Sequence, residues 1–289
     1  MELLQLKYFC DAAESQNFSR TAQKYKVPTS NISQMVKRLE GELGVKLFNR
    51  TANRITLSDE GRIFYDGARR ALSSLEGARV MLRDMEGEIS GEIKLLIRTH
   101  RRTSTLAIEK FKKLYPNVQI IINHGTDALY SDFNFVISDG AEQNERYSRE
   151  RLLTEKMVLA VEKSHPLAQR GSVALGDIAD EPFIAMSKTS RLYEFTSAIC
   201  RTAGFSPNVV ISAEDPYYVR KYVEIGLGIA IVPSISWRGL FSENTVLLDI
   251  GDFRRETYLY TVKDRVISRA EEIFLDIVRE TFKAEENML

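Results

Sequence analysis

The residues able to do chemistry gather between Thr29 and Arg54. Thr29, Ser30, Asn31, Ser33 and Gln34 carry compact hydroxyl and amide groups, and the cations Lys37 and Arg38 follow. On a helix this run makes a polar face opposite an apolar stripe of Ile32, Met35, Val36, Leu39 and Leu43. Short donors and acceptors at the leading end of a helix reach base edges in a major groove, while Lys and Arg behind them meet phosphates. Ser19 and Arg20, just upstream, add a hydroxyl and a cation to the set. The plain alternative is a solvated helix face, which is what most polar faces are.

Three short helices must position that face. Leu3, Leu6, Phe9 and Ala13 recur at helical spacing. Ser19 is the expected N-cap of a second helix that turns Ala22 and Tyr25 inward. Val27-Pro28-Thr29-Ser30 is a turn and capping signal, and Gly44 stops the third helix. Two alternating stretches, 45–50 and 54–57, are joined by Thr51-Ala52-Asn53. They predict a β-hairpin with Arg50, Asn53 and Arg54 at its edge, suited to backbone or minor-groove contact. The charge distribution agrees. Residues 1–58 hold nine Lys or Arg against five Asp or Glu, whereas the whole 289-residue chain holds 40 of each. A basic head on a mildly acidic body fits a nucleic-acid partner.

From residue 59 a heptad pattern begins. Phe64, Ala68, Ala71, Leu75, Ala78, Leu82 and Met85 recur at alternating steps of four and three, with charges around them. A single buried face rarely keeps that period for so long, so the pattern predicts a helix that pairs with a second copy.

The head resembles the N-terminal domain of LysR-type transcriptional regulators. The residues that carry the resemblance are Leu6 and Phe9, Phe18-Ser19, Ala22, Ile32-Ser33, Leu39-Glu40, Leu43-Gly44, Leu47-Phe48, Arg50, Arg54, Leu57-Ser58 and Gly61. The resemblance implies double-stranded promoter DNA and RNA polymerase as partners. It also implies a bacterial, cytoplasmic setting and a homodimer or homotetramer joined through the linker helix. Two departures stand out. Pro28-Thr29 occupies the place of the usual Ser/Thr-Gln pair, and Glu60 replaces a usual Ala. Thr29 cannot span a base edge bidentately as Gln does, so an unusual operator sequence is expected.

Beyond Gly91 the pattern alternates between strands and helices. Strands are expected at 93–97, 118–122, 133–137, 157–161, 182–186, 209–211, 229–233 and 258–262. Helices are expected between several of them, which predicts a mainly parallel sheet. Two sheets in series predict two lobes with a cleft between them. The spacing of Gly91, Pro116, His165 to Ala168, Gly204-Phe205 and Gly226 to Pro233 is similar to the effector domain of the same family, which resembles periplasmic binding proteins. The expected fold is therefore α/β, with an N-terminal all-α winged helix-turn-helix and a two-lobed effector domain. Its boundaries fall at 1–58, 59–90 and 91–289. Lobe I takes about 91–161 and 267–289, and lobe II about 162–266. The 125–133 stretch is too short for the helix that family members place there.

Ligands of open α/β lobes sit beyond the carboxyl ends of strands, against helix N-termini. Two loops qualify: Thr99-His100-Arg101-Arg102-Thr103, and Ser187-Lys188-Thr189. Gly125-Thr126 and Asp215 are placed to add contacts. Hydroxyls and cations there favour a small anion, most simply a carboxylate.

Other classes find little support. Two cysteines, Cys10 and Cys200, exclude a disulfide framework, and three histidines lack metal-ligand spacing. No run approaches a membrane span of about 18 apolar residues, and no signal peptide is expected at the N-terminus. Gly226-Leu227-Gly228 lies between a helix and a strand, the reverse of a dinucleotide fingerprint. No catalytic constellation, metal site or cofactor is expected. The competing reading is a two-lobed binding protein whose head makes protein–protein contacts.

Overall fold

The computed structural model describes every residue except 52–53, 85–88, 126–127, 141–146, 264 and 289, and omits the side chains of 51, 54, 80, 81, 83, 84 and 131. Asn53, Thr126 and Met85 thus lie outside the described residues, as does the side chain of Arg54. The chain forms two compact units. One comprises 1–90 with 262–272, and the other 91–261 with 273–289.

The first unit opens with three helices, α1 (Leu3–Ser15), α2 (Phe18–Tyr25) and α3 (Thr29–Leu43). Each ends in a left-handed residue, Gln16, Lys26 and Gly44 respectively, which turns the chain back on itself. Asn17 rather than Ser19 caps α2, since its side chain accepts the Arg20 N–H at 3.0 Å. Ser19 already lies inside the helix, so the cap falls two residues earlier than the sequence reading placed it. A hairpin follows, β1 (Phe48–Thr51) against β2 (Arg54–Leu57), and then α4 (Asp59–Asp84).

Phe9, Val36, Leu39, Leu47, Phe48, Tyr65 and Ala68 form the main core of this unit, and Tyr8, Ala22 and Ile32 a second. Burying each large side chain contributes roughly 1.5–3 kcal/mol. The start of α4 is locked onto this core. The Ser58 hydroxyl accepts the Gly61 N–H at 2.8 Å and donates to the Lys46 carbonyl at 2.6 Å. Gly61 must be glycine here, because a Cβ would stand 2.0 Å from the Leu47 carbonyl oxygen.

The second unit is built on a six-stranded sheet with the order β4-β3-β5-β10-β6-β9. Its strands are β3 (Gly91–Ile97), β4 (Val118–Asn123), β5 (Phe135–Ser138), β6 (Tyr147–Glu162), β9 (Ala230–Pro233) and β10 (Thr245–Val262). A smaller parallel pair, β7 (Pro182–Met186) and β8 (Asn208–Ala213), is linked to it by a bridge from Phe183 to Ile229. The helices are α5 (Arg101–Leu114), α6 (Arg191–Thr202), α7 (Pro216–Glu224) and α8 (Arg269–Glu286).

The parallel prediction holds within each lobe, where β3 pairs with β4 and β5 and β7 pairs with β8. It fails between them. β10 runs antiparallel to β5, and β6 antiparallel to β9. The reason is length: β6 spans 16 residues and β10 spans 18, so each passes through both lobes. The two sheets expected in series are thus joined into one along these strands. Between β4 and β5 a single 3-10 turn, Tyr130–Asp132, stands where a helix would be, among the described residues. Tyr130, Leu96, Val136 and Tyr260 cover the sheet there. No helix of the described residues is long and apolar enough to cross a membrane.

Candidate nucleic-acid face and ligand cleft

α3 buries Ile32, Val36 and Leu39 and turns its other side to solvent. Thr29, Ser30, Asn31, Gln34, Lys37 and Arg38 are all exposed, and Ser33 is half-buried. Ser19 and Arg20 are exposed on the first turn of α2. Arg50 is engaged within the unit. One guanidinium nitrogen lies 3.4 Å from the Ser33 hydroxyl, another 3.5 Å from a Glu40 oxygen, and its carbon sits 5.2 Å from the Phe18 ring centroid. Glu40, which the sequence reading left without a role, is the organiser. Its buried carboxylate accepts the Leu47 and Phe48 N–H groups at 2.9 and 3.3 Å, tying the hairpin to the end of α3. Glu40 falls one helical turn after Val36, in phase with the buried stripe, and that phase is the signal that marks it.

On α4 the heptad positions divide. Phe64 and Ala68 pack into the head's own core, with the Phe64 ring 5.4 Å from that of Phe9. Ala71, Leu75, Ala78 and Leu82 are exposed, Leu75 at 53% and Leu82 at 66%.

In the second unit a cleft of about 590 Å³ opens between the lobes. Thr99, His100, Arg101, Arg102, Gly125, Ser187, Thr189 and Asp215 line it. Thr103 and Lys188 do not. Thr103 is fully buried in the first turn of α5, and Lys188 is exposed. His100 adopts a left-handed backbone (φ 53°) and leaves the N-terminus of α5 without a side-chain cap. Asp215 is partly spent on capping α7, accepting the Tyr217 N–H at 2.8 Å.

The floor of the cleft is a buried charge cluster. Arg255 of β10 donates to Glu155 of β6 at 2.5 and 3.0 Å, to Asp139 at 3.0 Å and to the Ser236 hydroxyl at 2.9 Å. Glu155 also accepts the Ile235 and Ser236 N–H groups at 2.9 and 2.8 Å. The His100 Nε2 lies 3.0 Å from a Glu155 oxygen, without hydrogen-bond alignment. Burial pushes the Glu155 carboxyl up, but Arg255 and His100 overcome it and hold it well below the usual carboxylate range. Burial likewise works against the Arg255 cation, and Glu155 and Asp139 more than restore it. Glu155 alternates in phase with buried Leu153 and Met157, and Arg255 with buried Thr257 and Leu259. A charge at an inward strand position is the signal that exposes such a cluster in sequence.

Because the Glu155 carboxyl is held low, its stabilisation is complete above the ordinary value of 4.5 and drains away as pH falls below it. Glu155→Gln is expected to lower the unfolding free energy at pH 7 by about 3 kcal/mol. The gap to the unchanged protein should narrow as pH drops beneath 4.5. Urea unfolding at a series of pH values measures both, and equal stability at pH 7 contradicts the assignment.

Comparison with known proteins places this architecture. Residues 3–62 match the family model for bacterial regulatory helix-turn-helix proteins of the lysR family, and residues 86–283 match the LysR substrate binding domain. The HTH-type transcriptional regulator AlsR of Bacillus subtilis is 30% identical over 248 residues, which cover 81% of either chain. A full-length OxyR variant from Pseudomonas aeruginosa shares the fold with a TM-score of 0.68 at 18% identity, over 98% of this chain and 95% of that one. The effector binding domain of QuiR, solved in complex with shikimate, gives a TM-score of 0.58 at 25% identity, over 68% of this chain and 98% of that one. The chain belongs to the LysR family of bacterial regulatory helix-turn-helix proteins.

Proposed function

We propose that this chain is a ligand-responsive transcription factor that places α3 in the major groove of promoter DNA. The observation that carries the reading is the division of α3. Thr29, Ser30, Gln34, Lys37 and Arg38 stand exposed on a helix whose other side is the core of the head. The shorter groups then meet base edges and the cations meet phosphates. Arg50 and Arg54 belong to the strands of the hairpin that flanks this helix, and Asn53 falls between them in sequence. Arg50's bond to Ser33 sets the hairpin against α3 before any DNA arrives.

The chain acts as a homodimer or homotetramer. The exposed Ala71, Leu75, Ala78 and Leu82 continue a heptad whose first members the head already uses, and a second copy of α4 would cover them. Two heads joined in this way read a two-fold symmetric site.

A small anion in the inter-lobe cleft is the effector. The similar QuiR domain is described with shikimate bound. Here Thr99, His100, Arg101, Ser187 and Thr189 supply hydroxyls, backbone and cations to such a guest. Its binding would bias the lobes, and through them the paired heads and their contact with RNA polymerase. The protein works in the bacterial cytoplasm and carries out no catalysis of its own.

Gel-shift titration on the intergenic DNA upstream of its own gene, at several salt concentrations, tests DNA binding. Affinity should fall steeply with salt, and Lys37→Ala and Arg38→Ala should each reduce the log–log slope by about 1. Binding that ignores salt contradicts the reading. Sedimentation tests the assembly. Leu75→Glu should shift the protein toward monomer at micromolar concentration, and an unchanged oligomer removes α4 from the interface.

A further inference from the structure

The two walls of the cleft differ in kind. The wall from the first lobe presents Thr99, His100, Arg101 and His124, all polar. The wall from the second lobe carries an apolar panel of Met186, Leu192, Trp237 and Leu240, with Arg220 beside it and Arg191, Glu214 and Asp215 also in the lining. Arg220 lies on α7, half-buried, its guanidinium carbon 5.1 Å from the Trp237 ring centroid.

Three other arginines of the cleft are neutralised within the protein. Arg102 pairs with Glu285, Arg191 with Glu194 at 2.7 Å, and Arg255 with Asp139 and Glu155. Arg220 makes no ion pair and no hydrogen bond among the described residues. Burial works against its charge, and the nearby Asp215 offsets this only in part. The contact with the indole returns only part of the hydration that the half-buried guanidinium gives up. Such a group is poised to gain from an anion that enters the cleft, and its planar fork fits a carboxylate with two parallel bonds. The apolar panel next to Arg220 favours a hydrocarbon body, and the flat indole favours a ring.

We propose that Arg220 is the anion seat of the second lobe, with Trp237 as the flat wall next to it, and that the effector is a small carboxylate bearing a ring. This deepens the cleft reading given above and rests on it. Sequence reading could not reach the pair, because Arg220 on α7 and Trp237 in the turn after β9 lie 17 positions apart and no local pattern joins them.

Trp237 is the only tryptophan in the chain, so intrinsic emission of the full-length protein reports this wall directly. The experiment titrates that protein with benzoate and cyclohexanecarboxylate, with benzyl alcohol and inorganic phosphate as controls. Isothermal titration repeats each measurement independently of emission. The expected result is a saturable response to the ring carboxylates, with both controls binding at least about tenfold more weakly. Arg220→Gln should weaken the carboxylates by about tenfold or more, with unchanged circular dichroism, and Arg220→Lys should recover part of the loss. If Arg220→Gln binds them as tightly as the unchanged protein while Arg101→Ala or Ser187→Ala does not, the seat is overturned and the cleft reading survives. If neither carboxylate binds, the assigned ligand class is overturned. If DNA binding also ignores every carboxylate tried, the cleft reading falls with it.

Discussion

A guanidinium and a carboxylate buried together, Arg255 against Glu155, hold the effector unit in its form. Each belongs to one of the two strands that run through both lobes. Either charge alone in that interior would cost several kcal/mol. Together they are satisfied almost completely, by Asp139 from the first lobe, by Ser236 and its backbone from the second, and by His100 at the head of α5. The strands can pass each other at this one register with their charges met, so the pair fixes where the lobes join. The cleft opens directly above it. Its floor is thus electrically spent, and the groups left to meet a guest lie on the walls.

The head obeys the same constraint on a smaller scale. Glu40 is a buried carboxylate whose needs are met by two backbone N–H groups of the hairpin and by Arg50. Gly61 lets α4 approach the Leu47 carbonyl closely enough for Ser58 to cap it. Recognition helix, hairpin and linker helix therefore share one rigid junction. The junction draws on Arg50 and Ser33 and leaves Thr29, Ser30, Gln34, Lys37 and Arg38 exposed on α3.

Much of this was legible in the sequence, for reasons that differ by element. The α3 stripe and the heptad on α4 are periodic, and periodicity survives without tertiary knowledge. The cleft loops were legible because strand ends followed by hydroxyls and cations mark ligand sites in open α/β folds. Three features were hidden. The first half of β6 carries Arg149, Glu150 and Arg151, and the middle of β10 carries Arg254 and Glu256, and so many charges mask strands whose outer face is solvated. The cap of α2 was misplaced by two residues because Asn17 and Ser19 are both good caps, and only the path of the chain decides between them. The charge cluster joins residues 100, 139, 155, 236 and 255, which no local pattern connects.

A double-mutant cycle on that pair tests the account most directly, with unfolding free energies measured for Glu155→Leu, Arg255→Met and the two combined. Arg255→Met leaves both Glu155 and Asp139 buried without their cation, Glu155→Leu leaves Arg255 with Asp139 alone, and the double change leaves only Asp139 without a cation. The account predicts that the double variant is more stable than the sum of the single losses implies, by at least about 2 kcal/mol. Losses that add to within about 0.5 kcal/mol would show that the two charges do not depend on each other, and the proposed junction of the lobes would fall.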